Sequence, residues 1–324
     1  MFEKVSPSHP DKIADRISGA IVDLAYTKNK NPKVAVEVLL GHGKAAVMIE
    51  SSEDFRPVEI DPIVRRLAGD VELDLHAVKQ DPHLANNQEG AVRCGDNGIF
   101  KGSAPTYEQK VLTAIAASIY DRHPFDGKYI IGRYRRRDGK HFVEPSKDDD
   151  RSLGLTICQS NATNDEILDW WHKFGNEHLW DLQEKFTFCF GRDVENRKRY
   201  ISLTKINPLG EWTGGINVDC GATNRKLGSD LGDGVSGGGI NGKDLSKGDV
   251  SINIVCFLKA VQSGQTVTAC CSIGDEQVTF QYASGKTETE TFADVVEMAR
   301  LYILTDCNGS FETFSEWGLI RPKE

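Results

Sequence analysis

The sequence lacks the features of a membrane protein and of a secreted protein. Its longest apolar stretches, such as IVCFLKAV (254–261), fall far short of the roughly 20 residues that a helix needs to cross a bilayer. The N-terminus, MFEKVSPSHPDKIAD, reaches charged residues and proline before any apolar run, so no signal peptide is predicted. We therefore expect a soluble protein without a membrane partner.

The cysteines show no disulfide framework. None has CxxC spacing, and the adjacent Cys270 and Cys271 would form a strained pair. A chain of 324 residues can bury enough apolar surface to fold without disulfides, so reduced thiols in the cytoplasm are predicted. The cysteines are Cys94, Cys158, Cys189, Cys220, Cys256, Cys270, Cys271 and Cys307.

Basic residues are in the minority. Lys and Arg total 39 against 48 Asp and Glu, which gives a formal net charge of −9. That balance argues against a nucleic-acid partner, because such binding depends on many contacts between cationic side chains and phosphates. It still allows a local basic pocket for a small polyanion, since a cleft focuses its own field.

What is present is a pattern of amphipathic helices beside apolar strands, repeated in three segments, 1–90, 91–211 and 212–324. Strands and helices do not alternate strictly, which favours an α+β fold of three similar domains with mixed or antiparallel sheets covered by helices. The polar stretch 79–90 is predicted to be an exposed, mobile loop. The predicted helices are 11–26, 57–68, 107–121, 165–174, 249–262 and 292–302. The predicted strands are 34–40, 44–50, 128–137, 152–160, 266–273 and 276–282.

The first candidate cluster is His9-Pro10-Asp11-Lys12. Pro10 can begin a helix, which places His9 just outside the helix start and Asp11 in its first turn. A helix start attracts anions, and a carboxylate there can hold a magnesium ion that carries phosphates. Taken alone, a simpler interpretation is favoured, in which Asp11 complements the helix dipole and His9 is a solvated loop residue.

The second cluster is a pair of glutamates on neighbouring predicted strands. In VAVEVLL, Glu37 alternates with the valines and shares its face with apolar neighbours, and Glu50 follows on the next strand. A carboxylate on an apolar face needs a cation or a donor. A solvent-facing strand edge explains the pair equally well.

Two glycine-rich stretches carry the remaining candidates. WTGGINVDCGATNRK (212–226) combines an aromatic ring, close backbone approach and a basic pair that suits phosphate, although a surface turn would explain so short a stretch. In GDGVSGGGINGKDLSKGD (232–249), residues 237–243 formally match a P-loop. Asp244 replaces the hydroxyl that should hold magnesium, and no apolar strand leads into the loop. Phosphate binding by Lys243 and Lys247 is favoured over a flexible linker.

Together these stretches resemble a known family. HPDKIADRI (9–17), GDNGIFKGSA (95–104), DCGATNRK (219–226) and GGGINGKDLSKGD (237–249) are similar to signature motifs of the methionine adenosyltransferases, or S-adenosylmethionine synthetases, and stand in the family's order. INPLGEW (206–212) and SIGDE (272–276) extend the resemblance over nearly the whole chain. Four ordered motifs are far more specific than any one of them.

The resemblance implies a function and a set of site residues. The implied reaction joins ATP to L-methionine with water, giving S-adenosylmethionine, phosphate and diphosphate. It implies magnesium ligands Asp11 and Asp249 for two Mg²⁺ ions, and Glu37 for K⁺. It implies triphosphate and catalytic contacts from His9, Lys128, Arg225 and Lys243, with Lys226 beside them. It implies further nucleotide contacts from Asp96, Asp126 (ribose) and Trp212 (adenine), and methionine contacts from Glu50, Gln80, Asp219 and Lys247. A homodimer with shared active sites, or a dimer of dimers, is also implied.

The implied chemistry explains what the sequence lacks. A thioether sulfur has no proton to lose, so no general base or covalent nucleophile is required, and no Ser/His/Asp arrangement is predicted. The charged leaving group makes electrostatic stabilisation the main demand.

The sequence also departs from the family pattern. The chain is shorter than typical members, its loop 79–93 is trimmed, and the second glycine-rich loop is one residue short. Asn224, Ser236 and His83 replace a glycine, a histidine and an acidic residue that are usual in the family. Two alternatives therefore stay open: a degenerate protein that binds nucleotide or S-adenosylmethionine without catalysis, and an ATPase or kinase that uses 237–243 as a P-loop.

Overall fold

A computed structural model describes residues 1–87, 91–136, 143–145, 152–177, 187–189, 200–234 and 238–322. Its helices are α1 Pro10–Lys28, α2 Pro57–Ala68, α3 Pro82–Asn87, α4 Tyr107–Arg122, α5 Asn164–Glu177, α6 Leu227–Leu231, α7 Gly248–Ser263, α8 Phe292–Asp306 and α9 Phe311–Trp317. Its strands are β1 Phe2–Val5, β2 Val34–Gly41, β3 Lys44–Ser51, β4 Glu72–Lys79, β5 Gly98–Gly102, β6 Gly127–Arg136, β7 Val143–Pro145, β8 Ser152–Gln159, β9 Thr187–Cys189, β10 Tyr200–Ile206, β11 Gly221–Ala222, β12 Val267–Cys271, β13 Gln277–Tyr282 and β14 Thr287–Thr291.

The chain folds into two compact units, each assembled from segments that are distant in sequence. Residues 1–9 and 106–215 belong to the first unit, and residues 10–105 and 216–321 to the second. The division into three consecutive segments stays a prediction. Sheets that mix parallel and antiparallel pairs, covered by helices, confirm the α+β class.

The first unit is built on one sheet in the strand order β1-β6-β8-β10-β9, with β7 paired to β6. Helix α4 lies against β1 and β6. Its start is fixed by the N-cap Thr106, whose hydroxyl accepts from the backbone N–H of Gln109 while the Gln109 side chain accepts from Thr106 in return. Trp170 of α5 is buried, stacks on Phe174 at 5.0 Å between ring centroids, and donates to Ser118.

The second unit contains two four-stranded sheets, β11-β2-β3-β4 and β14-β13-β12-β5. Helix α1 packs against β2 and α9, and α7 packs against β5, β12 and α8. The β2–β3 hairpin turns at residues 41–43, where His42 has a φ of 51° and both flanking glycines have positive φ. This sheet and helix α1 share one apolar core with the α7 layer.

The structure confirms every predicted helix and the predicted strands that it describes, with shifts of a few residues at their ends. The turn at Asp138-Gly139 lies outside the described residues. The prediction of a loop over 79–90 was wrong in part, because Lys79 ends β4 and Pro82–Asn87 forms a short helix. The strands that were not predicted are β1, β4, β5, β7, β9, β10, β11 and β14, and the helices that were not predicted are α3, α6 and α9. None of the described helices is long and apolar enough to span a bilayer.

Thiol reactivity offers a direct check of this fold. Cys220 and Cys270 are exposed, whereas Cys256 and Cys307 are buried and burial raises their pKa to about 12 and about 11. Because the thiolate is the reactive form, an excess of a thiol-disulfide reagent at pH 8 should label the exposed pair within seconds to minutes and spare the buried pair until denaturant is added. Peptide mapping by mass spectrometry identifies the sites. Rapid labelling of Cys256 in the native protein would contradict the packing of α7.

Candidate functional site

The start of α1 holds a buried carboxylate against a glycine-bearing loop. Asp11 lies in the first helical turn, is 2% exposed, and accepts at Oδ1 from the backbone N–H of Ala222 at 3.0 Å. A Cβ at Gly221 would overlap the Pro10 carbonyl, so a glycine is needed where this loop meets the helix. The helix begins at Pro10 as the sequence predicted. Asp11 is therefore held by more than the helix dipole.

Two cations lie beside Asp11. The Arg225 guanidinium is 3.6 Å from Oδ1 of Asp11, and the Lys226 ammonium is 3.5 Å from Oδ2. Arg225 is more than half exposed, while Lys226 is largely covered. The DCGATNRK stretch thus brings its basic pair to the helix start that carries Asp11.

The start of α7 repeats this arrangement. Asp249 lies in the first turn of α7 and accepts a hydrogen bond from the Lys243 ammonium. Burial raises the pKa of Asp249, Lys243 lowers it and Asp96 raises it, with the net shift upward. Gly238 passes so close to the Asp249 carboxylate that a Cβ would collide with it. Asp96 therefore belongs to the same electrostatic neighbourhood as Asp249 and Lys243.

The glycine-rich segment is not a P-loop. After Lys243 the chain continues as a loop, and α7 begins only at Gly248, whereas a P-loop lysine lies at the start of its helix. The Asp244 carboxylate accepts from the backbone N–H groups of Val34 and Ser246 and lies 1% exposed. Asp244 thus holds this loop against β2. A P-loop would have a magnesium-binding hydroxyl at this position.

This arrangement suits a divalent cation bound together with a polyanion. Among the described residues, no group of three or more His, Cys, Asp or Glu side chains could hold a metal alone. Magnesium commonly takes only one or two carboxylates and completes its shell with phosphate oxygens and water. Asp11 and Asp249 fit that role, and Arg225, Lys226 and Lys243 fit the phosphates.

Beneath this surface lies a buried ionic triad that the sequence analysis missed. The Lys12 ammonium lies 2.8 Å from both oxygens of Asp230 and 3.1 Å from Oδ2 of Asp15, and all three side chains are essentially inaccessible. Burial by itself lowers the pKa of Lys12, but the two carboxylates outweigh burial and raise it. One ammonium cannot neutralise two carboxylates, and burial raises the pKa of Asp15 to about 7.

The raised pKa of Asp15 predicts a pH-dependent stability. The folded protein holds a proton on Asp15 between its ordinary value of 3.8 and about 7, while the unfolded chain releases it, so stability falls as pH rises through this window. Asp15→Asn cannot ionise at this position, so its stability should lack this dependence on pH. The difference in urea midpoint, parent minus variant, should therefore decrease between pH 4 and 7 and stay constant above pH 7.

Asp61 on α2 provides a matched control, since Asp61→Asn makes the same change from carboxylate to amide at a half-exposed residue outside the core. A parent-to-variant difference that stays constant with pH for Asp15→Asn would refute the assignment.

The two predicted glutamates lie on the outward face of the β2–β3 hairpin. Val34, Val36 and Val38 are buried, whereas Glu37 and Glu50 are exposed. Glu37 accepts a hydrogen bond from the Thr223 hydroxyl. The sequence left two interpretations equally open for Glu37: a carboxylate satisfied by a cation or a donor, and a carboxylate that faces solvent. The structure shows both features, because Glu37 faces solvent and accepts a hydrogen bond.

The residues predicted to contact the substrate methionine all lie in the second unit, in different settings. Gln80 follows β4, is 8% exposed, and has a buried side-chain oxygen without a hydrogen-bond partner among the described residues. Lys247 is also buried, at the N-cap of α7. Asp219 is exposed and accepts from the backbone N–H of Cys220.

The remaining predicted residues lie in the first unit. His9 is buried, and Lys128 of β6 pairs with Glu3 at 2.7 Å. Asp126 is buried and accepts at Oδ2 from the backbone N–H of Gly215 at 3.0 Å. Trp212 donates through Nε1 to Asn207.

Trp212 also lines a cleft. The cleft has a volume of about 290 Å³ and lies wholly within the first unit. Its other lining residues are Asn161, Ala162, Thr163, Glu166, Glu211 and Thr213. An aromatic ring at the wall of a cleft can contact a planar ligand, so the cleft is compatible with the adenine role implied for Trp212.

Comparisons with known proteins extend these observations. Residues 1–86 match the family model described as S-adenosylmethionine synthetase, N-terminal domain. The S-adenosylmethionine synthase of Mycoplasma capricolum is 29% identical over 288 residues, covering 78% of this chain and 70% of the relative. That of Mesoplasma florum is 27% identical over 319 residues, covering 88% and 79%. That of Microcystis aeruginosa is 26% identical over 295 residues, covering 78% and 70%.

A solved structure shares the fold. An unusual S-adenosylmethionine synthetase from Campylobacter jejuni aligns with a TM-score of 0.60 and 18% sequence identity, covering all of this chain and 90% of that chain. The ordered motifs, the family model and the curated proteins agree, and they confirm the resemblance: this chain is similar, over most of its length, to S-adenosylmethionine synthetases.

Proposed function

We propose that this protein is a methionine adenosyltransferase, a transferase that forms S-adenosylmethionine from ATP and L-methionine and hydrolyses the triphosphate to phosphate and diphosphate. The observation that carries the proposal is the pair of helix starts in the second unit. Asp11 and Asp249 each lie buried in a first helical turn, and each is paired with lysine or arginine. Such a set can bind a polyanion and its divalent cations together.

The proposed chemistry is a direct displacement. The methionine sulfur donates a lone pair to C5′ of ATP, the C5′–O bond breaks, and its electron pair leaves with the triphosphate. The sulfur loses no proton, so the adenosyl-transfer step needs no base. Arg225, Lys226 and Lys243 would stabilise the charge that accumulates on the leaving oxygens. Mg²⁺, held by Asp11 and Asp249, would supply further neutralising charge.

The other site residues follow the family assignment. His9 and Lys128 would contact the triphosphate, Asp126 the ribose and Trp212 the adenine, with Asp96 near the nucleotide. The burial of Gln80 and Lys247 supports their proposed role toward methionine: an unpartnered amide oxygen can accept from its ammonium, and a covered lysine can pair with its carboxylate. Glu50 and Asp219 would complete that subsite.

We also propose a homodimer with shared active sites, or a tetramer built from two such dimers, in the cytoplasm. The outward face of the β2–β3–β4 sheet supports this, because it exposes Leu39, Met48 and Val78 by 58, 52 and 42%. A second copy of the chain would cover this face, where Glu37 would help to hold K⁺. Sedimentation velocity of the parent and of Met48→Glu tests this proposal, since a charge in a buried dimer face should shift the protein toward monomer.

One alternative is supported by a specific observation. Asn224 and the shortened glycine-rich loop depart from the family pattern within the proposed triphosphate site, which would suit a protein that binds nucleotide without catalysis.

Incubation of the purified protein with ATP, Mg²⁺ and K⁺, with and without methionine, distinguishes the proposed function from its alternatives when the products are identified by mass spectrometry. Methionine-dependent S-adenosylmethionine with matching phosphate and diphosphate supports the synthetase. Equal ATP consumption without methionine indicates an ATPase, and bound but unconsumed ATP indicates a binding protein.

A further inference from the structure

The side chain of Asn224 joins two loops of the proposed triphosphate site. Its Oδ1 accepts from the backbone N–H of Asn241 at 3.0 Å, and its Nδ2 donates to the backbone C=O of Asn241 at 3.3 Å. One amide therefore satisfies both backbone groups of a residue 17 positions away, as a neighbouring strand would. The first loop carries Arg225 and Lys226, and the second leads directly to Lys243.

The backbone at Asn224 shows that this contact is not a by-product of local turn chemistry. Its φ is 61°, in the left-handed region that favours glycine. Asparagine can tolerate this region by bonding to its own neighbouring backbone. Here the side-chain amide instead bonds to the distant loop. A Cβ at Gly239 would collide with the Asn224 amide, so the second loop is shaped around that side chain.

Both partners of this contact are anchored to the buried triad. The backbone N–H of Asn224 donates to Oδ1 of Asp15 at 2.8 Å, and Nδ2 of Asn241 donates to Oδ2 of Asp230 at 3.4 Å. Lys12 bonds to both carboxylates and completes a closed ring of contacts. The ring ties α1 to both loops.

Beyond Asn241, the loop is fixed on its other side. The carbonyl of Gly242 accepts from the backbone N–H of Val36 at 2.7 Å, and Lys243 forms a bridge with Ala35. The segment that presents Lys243 is thus held by β2 at one end and by Asn224 at the other. Releasing the Asn224 end would leave Lys243 attached to the protein but less confined.

We infer that Asn224 is a positioning residue that fixes the shortened glycine-rich loop so that the Lys243 ammonium is directed at Asp249 and at the triphosphate that would bind there. The inference rests on the proposed function for the identity of the ligand, although the loop-to-loop contact itself does not. Asn224 does not touch the reacting atoms and acts through Lys243.

The test uses Asn224→Gly, which keeps the left-handed backbone and removes only the amide. Asn308→Gly is the matched control, since Asn308 has a φ of 53° and lies exposed after α8. Both variants gain the same backbone freedom in the unfolded chain. Four quantities are measured for each: the affinity for tripolyphosphate with Mg²⁺ by calorimetry, amide hydrogen exchange over residues 238–246, KM for ATP and KM for methionine.

Loss of two hydrogen bonds should weaken tripolyphosphate binding by about tenfold in Asn224→Gly and raise KM for ATP by a similar factor, with KM for methionine little changed. Exchange over 238–246 should accelerate in that variant alone. Unchanged binding and exchange in Asn224→Gly would overturn the inference, as would equal losses in Asn308→Gly. So would a parent protein that fails to bind tripolyphosphate.

A different result would refute the proposed function without refuting the inference about Asn224. A parent protein that binds tripolyphosphate but forms no S-adenosylmethionine refutes the synthetase while leaving the binding and exchange results for Asn224→Gly intact.

Discussion

Lys243→Ala is expected to slow formation of S-adenosylmethionine by on the order of 10²-fold or more, as for removal of a charge contact to a developing anion. The Lys243 side chain is 15% exposed and bonds to Asp249 at the start of α7. In the proposed reaction its charge would be needed most when the triphosphate departs. The effect should therefore fall on kcat at saturating ATP, methionine and Mg²⁺.

Lys286→Ala is the matched control for Lys243→Ala. Lys286 also belongs to the second unit and pairs with a carboxylate, Glu288, but it is 62% exposed on the β13–β14 hairpin. The control should turn over like the parent. Near-normal turnover in Lys243→Ala, with Lys286→Ala also normal, would contradict the role proposed for Lys243.

Most helices could be predicted because their sequence pattern is local. Ile13, Ile17 and Ile21 recur at helical spacing, and the structure buries all three in α1. Helix α9 has a local cap, because the Ser310 hydroxyl accepts from the backbone N–H of Thr313, but the helix is only seven residues long and was overlooked. Its start is held further by Asp23 of α1, nearly 290 residues away, which accepts from the backbone N–H groups of Phe311 and Glu312 and leaves no local signal.

The missed strands have two explanations. β1 is four residues long, shows no alternating pattern and pairs with β6 across more than 120 residues. β4 does alternate, since Leu73 and Leu75 lie between polar residues, but it is mostly exposed and follows a crossover from β3, and its pattern was overlooked. The short helix α3 is polar, and its Pro and Asn residues predict a turn as readily as a helix start.

The candidate site, too, could be predicted only in part. The resemblance implied a magnesium role for Asp11 and nucleotide contacts for Arg225 and Lys226, and these roles stay predictions, although the structure places both cations within 3.6 Å of the Asp11 carboxylate. The resemblance did not predict the buried triad or the Asn224 contact, because each depends on partners brought together only by folding: Lys12 and Asp230 are 218 residues apart. The signal that was available was local. Lys12 and Asp15 lie three residues apart within an apolar helix pattern, a spacing that places opposite charges side by side.

The Lys12 triad carries the largest expected effect on stability. Lys12→Met fills the space with an apolar chain of similar size but leaves two buried carboxylates without their cation. Removing one partner of a buried pair typically costs about 3–5 kcal/mol. The loss should appear as a lower urea midpoint and thermal transition, and it should be larger at pH 8 than at pH 5, because the stranded carboxylates can take up protons in acid.

The raised pKa of Lys12 fixes the pH range of its contribution. Since the folded value lies above the ordinary 10.5, the ammonium stabilises the fold at all pH values below 10.5 and is lost only as pH rises through the folded pKa. Lys28→Met, at the exposed end of the same helix, is the control and should cost only a small fraction as much.

Adding Asp230→Asn to Lys12→Met should recover part of the loss, because it removes one of the two uncompensated charges. If Lys12→Met is no less stable than Lys28→Met at pH 8, the triad is not what anchors α1 beneath the site. The positioning of Asn224 and Asn241 would then have to arise from the two loops themselves.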